Sequence, residues 1–332
     1  METADLLIAA LRAAASRLPA GDAQKLARLT GTYRPYTRDI SLSLYNRLDD
    51  EDRAAFVAWM LKRWGGIDSL PAERLAAYDA AVAAARERPA TPVTVAGHGY
   101  LRRDLGGIVL VGYPETLAVH TIGLDQYRHK GFDIAPGDTV IDGGAFVGDT
   151  AVHFHHLTGG NCTVHGFELL AENAALYEEN RRLNGIAPEA MRLRRAALAE
   201  RSGERLVIRP ASVAAATRAV AEGDGEAIGT LAIDDYVERE RLGRVDLIKL
   251  DLEGGDGPAL AGALATIRRF RPKLALCLYH RWDDVLTMPA LVQATGVAYR
   301  YGFKWVHLRE GWEAVLLCTP VPAGTTREAG IS

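Results

Sequence analysis

The stretch Asp142-Gly143-Gly144-Ala145-Phe146-Val147-Gly148-Asp149-Thr150 carries the clearest chemical signal in the sequence. It follows a short apolar run, Thr139-Val140-Ile141, and opens a segment of helical character. Glycines at such a place let the backbone approach a ligand closely. Parallel sheets bind ligands there, at the carboxyl ends of strands beside the first crossover. A second apolar run ends in Phe167-Glu168. An acidic residue one helix beyond the loop can accept both hydroxyls of a ribose. A glycine loop alone is also consistent with a purely structural turn; the loop and Glu168 together point to a nucleoside site. Dinucleotide loops usually read G-x-G-x-x-G and turn a helix N-terminus toward a pyrophosphate. Here Asp142 precedes the glycines and Asp149 stands at the helix start. Negative charge there repels a pyrophosphate and suits a sulfonium and an ammonium, which favours S-adenosylmethionine over NAD.

A second group of candidates follows a later apolar run. Val245, Leu247, Lys249, Asp251 and Glu253 alternate on one side of a strand. A central strand seldom buries three charged groups without a task. Lys249 and Asp251 can simply pair; the functional reading places Asp251 at the carboxyl edge, close to a methyl donor. The next run, Leu274 to Leu278, delivers Tyr279 and His280 to the same edge. Methyl transfer to a hydroxyl needs somewhere for the proton to go, and histidine has the pKa of a general base. The same histidine can equally be a hydrogen-bonding loop residue. His153, His155 and His156 fall on the helix after the glycine loop and read as structural or exposed. No H-E-x-x-H or comparable cluster occurs, so no metal is expected, although Asp251 and Asp283 leave a carboxylate-bound divalent ion open.

These groups need a scaffold that brings strand ends together. From about residue 115, apolar strands alternate with amphipathic stretches such as Ala171–Leu183 and Ala259–Phe270. The strands expected are Thr139–Ile141, Thr163–Phe167, Leu193–Ala197, Val245–Leu250 and Leu274–Leu278. Such alternation predicts a doubly wound, mostly parallel α/β sheet covered on both faces. Tyr299–His307 and Trp312–Cys318, joined by a short polar turn, predict a terminal antiparallel pair. Residues 1–90 read as a helical N-terminal domain. Leu6, Leu7, Ala10, Leu11 and Ala14 mark one helix. Another starts at Asp49 or Asp50, carries Phe56, Val57, Met60, Leu61 and Trp64, and stops at Gly65-Gly66. A third has Ser69 as cap and Pro71 in its first turn, with Leu75, Tyr78 and Val82 on one face. These helices carry no evident chemistry and suggest packing or homo-oligomer formation. Residues 91–114 read as a connector with short strands, 115–321 as the main domain and 322–332 as a frayed tail.

Composition narrows the classes. A net charge of -3 argues against nucleic-acid or membrane partners. The runs Arg192, Arg194, Arg195 and Arg268, Arg269, Arg271 read as solvated faces. Three cysteines without close spacing give neither a disulfide framework nor a zinc knuckle. The N-terminus lacks the basic start of a secretory signal and no apolar run spans a bilayer, so a cytoplasmic protein is expected.

Four segments in order resemble the FkbM family of methyltransferases over residues 115–320. They are Pro136 to Ala145, then Gly166-Phe167-Glu168 followed by Asn180 and Asn184, then Leu231-Ala232-Ile233-Asp234-Asp235-Tyr236, and Ile248-Lys249-Leu250-Asp251-Leu252-Glu253-Gly254. Gly255 and Asp256 stand where the family has alanine and glutamate. The resemblance implies a Rossmann-like class I methyltransferase sheet and transfer of a methyl group to a hydroxyl of a small-molecule or sugar acceptor, while the residues themselves leave nitrogen open as the acceptor atom. S-adenosylmethionine would be held by Asp142, Gly143, Gly144, Ala145, Gly148 and Glu168, with the adenine near Ala197, and Asp251 and His280 would face the acceptor. Two readings compete: a NAD-dependent oxidoreductase on the same loop, and a non-catalytic nucleoside-binding protein.

Overall fold

The computed structural model describes residues 6–112, 119–209, 218–221 and 225–322. The expected domain start at 115 and tail residues 323–332 lie outside these. The chain opens with five α-helices: α1 (Leu6–Ala15), α2 (Ala23–Tyr33), α3 (Thr37–Ser43), α4 (Asp50–Arg63) and α5 (Ala72–Glu87). The α2 and α3 helices are additions to the sequence reading. Asp49 caps α4 by accepting from the Asp52 amide at 2.9 Å, and acidic residues fill its first turn, where the helix dipole favours them. Pro71, not Ser69, sits at the N-cap of α5; the Ser69 hydroxyl turns instead to the Ala58 carbonyl.

Three antiparallel strands follow, β1 (Ala90–Val95), β2 (His98–Asp104) and β3 (Val109–Gly112). The main sheet then alternates with helices: β4 (Asp138–Gly143), α6 (Asp149–Leu157), β5 (Cys162–Glu168), α7 (Ala171–Leu183) and β6 (Met191–Arg195). A small sheet interrupts the alternation, formed by β7 (Ala197–Leu198), β8 (Arg205–Arg209), β9 (Arg218–Val220) and β10 (Ala227–Leu231). The chain continues through α8 (Ile233–Arg239), β11 (Leu247–Leu250), α9 (Asp256–Ala261), α10 (Leu264–Phe270), β12 (Lys273–Cys277) and α11 (Asp284–Ala294), and closes with β13 (Tyr299–His307) and β14 (Trp312–Pro320). The seven-stranded order is β13-β14-β12-β11-β4-β5-β6, parallel from β12 to β6 and antiparallel at β14 and β13. This is the α/β sheet with an antiparallel C-terminal pair behind a helical N-terminal region that the sequence predicts. The inner parallel strands β4, β5, β11 and β12 are almost wholly buried, as strands covered on both faces are, whereas the edge strand β6 exposes Arg192, Arg194 and Arg195.

Two elements differ from expectation. The single helix expected over Ala259–Phe270 is broken at Gly262, where a Cβ would lie 2.2 Å from the Ala199 carbonyl. Asp234 then caps α10, accepting from the Ala265 and Thr266 amides at 3.0 and 2.7 Å. The strand expected through Ala197 divides in two, with Ala197–Leu198 leaving the main sheet to pair with β10.

The N-terminal helices pack on the sheet edge of the same chain. Phe56 and Trp59 of α4 meet the Phe303 ring of β13, with centroids 5.2 and 5.5 Å apart. The Trp59 indole donates to the Gly311 carbonyl at 2.9 Å. Each such side chain removed from water contributes about 1.5–3 kcal/mol. Polar contacts fix the register. Asp52, buried, accepts from His129, Lys130 and the Phe303 amide at 2.8, 2.9 and 3.0 Å. The three cysteines are buried and unpaired. No helix among the described residues is long and apolar enough to cross a membrane.

Candidate active site

The parallel register lays the candidates along one edge. Asp142 and Gly143 of β4 stand opposite Lys249 and Leu250 of β11, and opposite Gly166 and Phe167 of β5. Lys249 therefore pairs with Asp142, Nζ to Oδ1 at 2.9 Å, and not with Asp251. Burial penalises the ammonium, but the Asp142 and Asp251 charges hold its pKa above the ordinary lysine value. It also donates to the Gly144 carbonyl at 2.7 Å. The carboxylate assigned to a cationic ligand is thus fully buried and neutralised inside the protein. Asp149 is buried as well, accepts from the Thr121 hydroxyl at 2.7 Å and is pushed up by burial. The electrostatic argument against a pyrophosphate loses most of its force here, because neither charge is presented openly at the loop.

The loop glycines answer to internal packing. Gly144 has φ +77, and a Cβ there would lie 1.8 Å from the Asp251 carbonyl oxygen. The loop therefore rests on the end of β11, which places it beside Asp251. Gly143 is wedged between Leu198 and Leu250, and Gly148, at φ +82, between Met191 and Tyr177. Ala145 is buried against Gly166. Across the edge, Glu168 Oε2 accepts from the Phe146 amide at 3.0 Å, so loop and acidic partner meet. Its Oε1 accepts from the Leu169 and Leu170 amides at 2.8 and 2.9 Å and from Asn173 at 3.3 Å. Burial raises its pKa, opposed by these bonds. Ala197 is buried with Ile208 and Ile228, alongside Leu169 and Leu170, in a small apolar cluster next to Glu168. Asn180 bonds to Val111 and Val147, and Asn184 to Val109, fastening β3 onto α7 and the loop.

Asp251 and His280 also come together, but His280 is not a free base. Its side chain is 3% exposed, Nδ1 lies 3.0 Å from Asp256 Oδ2, and Nε2 lies 3.2 Å from Asp251 Oδ1 and 3.7 Å from Glu253 Oε1. Burial alone would lower its pKa, but the Asp256 and Asp251 carboxylates raise it well above the ordinary histidine value. These carboxylates favour the protonated imidazole over the neutral one. For Asp251 the penalty of burial is outweighed by His280 and Lys249, which hold it well below the usual carboxylate range. The Tyr127 and Tyr279 hydroxyls donate to its Oδ2 and Oδ1 at 3.1 and 2.8 Å. Glu313 of β14, bonded to Gln126, is raised to about 8 by burial and by the Asp251 charge. Arg63 of α4 donates to the Tyr279 carbonyl at 2.7 Å, tying the N-terminal helices to this edge. Asp283 pairs with Arg281 instead of joining Asp251. Glu253 and Asp256 lie within the segment the sequence singles out. Tyr127, Arg63 and Glu313 are far from it in sequence and carry no local signal.

The family model for the FkbM methyltransferase domain matches residues 142–310, a span that includes the loop, Glu168, Asp251 and His280. The chain belongs to the FkbM methyltransferase family. A solved FkbM methyltransferase from Methylobacillus flagellatus KT is 17% identical with a TM-score of 0.59; the match covers 89% of this FkbM chain and 62% of that one. This chain thus spans less than two thirds of that protein's length. Fibrillarin from Aeropyrum pernix, solved with natively bound S-adenosyl-L-methionine, is 11% identical over 70% of this chain and 100% of its own, with a TM-score of 0.40. A putative O-methyltransferase from Klebsiella pneumoniae is 14% identical over 76% and 92% of the two chains, with a TM-score of 0.35. No curated protein matches the chain.

Proposed function

We propose that this FkbM protein transfers a methyl group from S-adenosylmethionine to a hydroxyl of a small molecule or sugar. The observation that carries the reading is the contact of the loop with both neighbouring strand ends: Gly144 rests on Asp251 and Phe146 is bonded to Glu168. One edge thereby offers a ribose acceptor and an acidic group to either side of the loop. The residues fit the donor in kind, since Glu168 Oε2 has a single partner among the described residues and keeps acceptor capacity for a hydroxyl. Glu168, the loop backbone and the apolar cluster around Ala197 would hold it. When bound, S-adenosylmethionine supplies an electrophilic methyl group on a cationic sulfur. Asp251, partly exposed and oriented by Tyr127 and Tyr279, would accept a hydrogen bond from the acceptor hydroxyl. Held ionised, Asp251 is a weak base, but a weak base suffices here, because an alcohol oxygen becomes strongly acidic as it gains a methyl group, and its proton then moves to Asp251. His280 would act through Asp251 as a positioning residue.

The test is calorimetry with S-adenosylmethionine, S-adenosylhomocysteine and NAD, followed by detection of S-adenosylhomocysteine released in the presence of hydroxylated acceptors. Binding of both adenosyl ligands and acceptor-dependent release are expected. NAD binding without S-adenosylmethionine binding would overturn the reading; cofactor binding with no release from any acceptor would favour a non-catalytic nucleoside binder.

A further inference from the structure

We propose that Asp251, Glu253 and His280 form a binding site for one divalent first-row metal ion, with Asp256 orienting the imidazole. One donor atom from each of the three residues lies within 4.8 Å of the others. The Nε2 separations of 3.2 Å and 3.7 Å match ligands sharing one ion at about 2.0–2.2 Å each. The histidine supplies the independent sign. Its side chain is 3% exposed, against 17% and 20% for those of Asp251 and Glu253. Nε2 is aimed at those two carboxylates, within ion-pair range of both, but makes no well-aligned hydrogen bond among the described residues. Such an atom costs about 1–3 kcal/mol unless something occupies its lone pair or takes its proton.

The other ring nitrogen is already committed. Nδ1 faces Asp256 Oδ2, and the Leu252 and Gly254 amides fix Asp256 by donating to it at 3.0 and 3.1 Å. Metal-bound histidines characteristically have their second nitrogen held in this way by a carboxylate. The partly exposed carboxylates leave a path for the ion and open coordination positions. One imidazole with two carboxylates suits manganese or zinc better than calcium or magnesium. The ion's role in transfer, holding the acceptor oxygen and lowering its pKa, rests on the methyltransferase reading above. The site itself does not.

The experiment uses the full chain, stripped with chelator and dialysed, without donor or acceptor. Mn2+ is titrated and followed by the loss of its free-ion paramagnetic resonance signal, with Zn2+ as competitor. One Mn2+ per chain, displaced by Zn2+ and not by Ca2+, is the expected result. Glu253→Gln and His280→Gln should each weaken binding at least tenfold, and Asp256→Asn about ten- to a hundredfold with the stoichiometry unchanged. Circular dichroism of each metal-free variant reports folding, and Glu253→Gln decides the matter if the histidine variant does not fold. No binding of either ion at millimolar concentration, or binding indifferent to Glu253→Gln, overturns the site. Ion binding in a protein that releases no S-adenosylhomocysteine would leave the site standing and sink only its role in transfer.

Discussion

Replacing Gly144 by alanine separates a close backbone approach from an ordinary glycine turn. Gly144 has φ +77, and its missing Cβ would lie 1.8 Å from the Asp251 carbonyl oxygen. Gly296, after α11, has φ +73 and nothing within 4 Å. Both alanine variants incur the left-handed penalty of about 1–2 kcal/mol. Only Gly144→Ala must also move the loop off β11, by on the order of 1.5 Å to reach ordinary contact distance, at a further cost of about 1–3 kcal/mol. Urea unfolding should therefore place Gly144→Ala below Gly296→Ala by that second amount. A displacement of this size at a reacting centre costs about a hundredfold in rate, so methyl transfer should fall steeply in Gly144→Ala and stay near wild type in Gly296→Ala. Cofactor affinity, measured by calorimetry on the folded fraction, should drop in the first variant alone. Equal stability of the two variants, or full activity of Gly144→Ala, would refute the claim that the loop is seated on the catalytic strand end.

Glu168→Gln keeps the shape of a side chain bonded to three backbone amides but removes its charge. Cofactor affinity should fall about ten- to a hundredfold through weaker charged hydrogen bonds; unchanged calorimetric affinity would remove Glu168 from the ribose. Asp52→Ala strands His129 and Lys130 and the Phe303 amide where α4 meets β13. It should cost about 3 kcal/mol in urea unfolding, and a loss within 0.5 kcal/mol would mean the helices are only loosely attached. His120 is lowered to about 3 by burial and by His307, and His165 to about 4 by burial and by Arg192. Both are neutral when folded and charge more readily when unfolded, so their contribution is intact above pH 6.5 and is lost as pH falls toward 4. That is on the order of 2 kcal/mol each at pH 5, and His120→Gln or His165→Gln should flatten the acid side of a melting-temperature profile; an unchanged slope would reassign the acid sensitivity.

The sequence alone determined the scaffold, because short apolar strands and amphipathic helices are written in local periodicity. The parallel core, the terminal antiparallel pair and the start of α4 at Asp50 were all legible, and so was the family. Glycines and charged residues clustered in two short segments marked the loop and the β11 end. Most of the unread parts lacked such periodicity, since α3, β2 and the strands β8 to β10 are short or polar; α2, with Leu26, Leu29 and Tyr33 at helical spacing, was legible and was missed. Pairing was beyond reach. Lys249 and Asp251 are neighbours along one strand, but the parallel register sets Lys249 beside Asp142, across two strands that are distant in sequence. The surroundings of His280 were out of reach for the same reason: a histidine's pKa depends on the charges within a few ångströms, and the fold surrounds this one with Asp256, Asp251 and Glu253. Local pattern sets which elements form, whereas electrostatics and close contacts act through space, so tertiary structure alone decided which of the candidate groups meet and in what state.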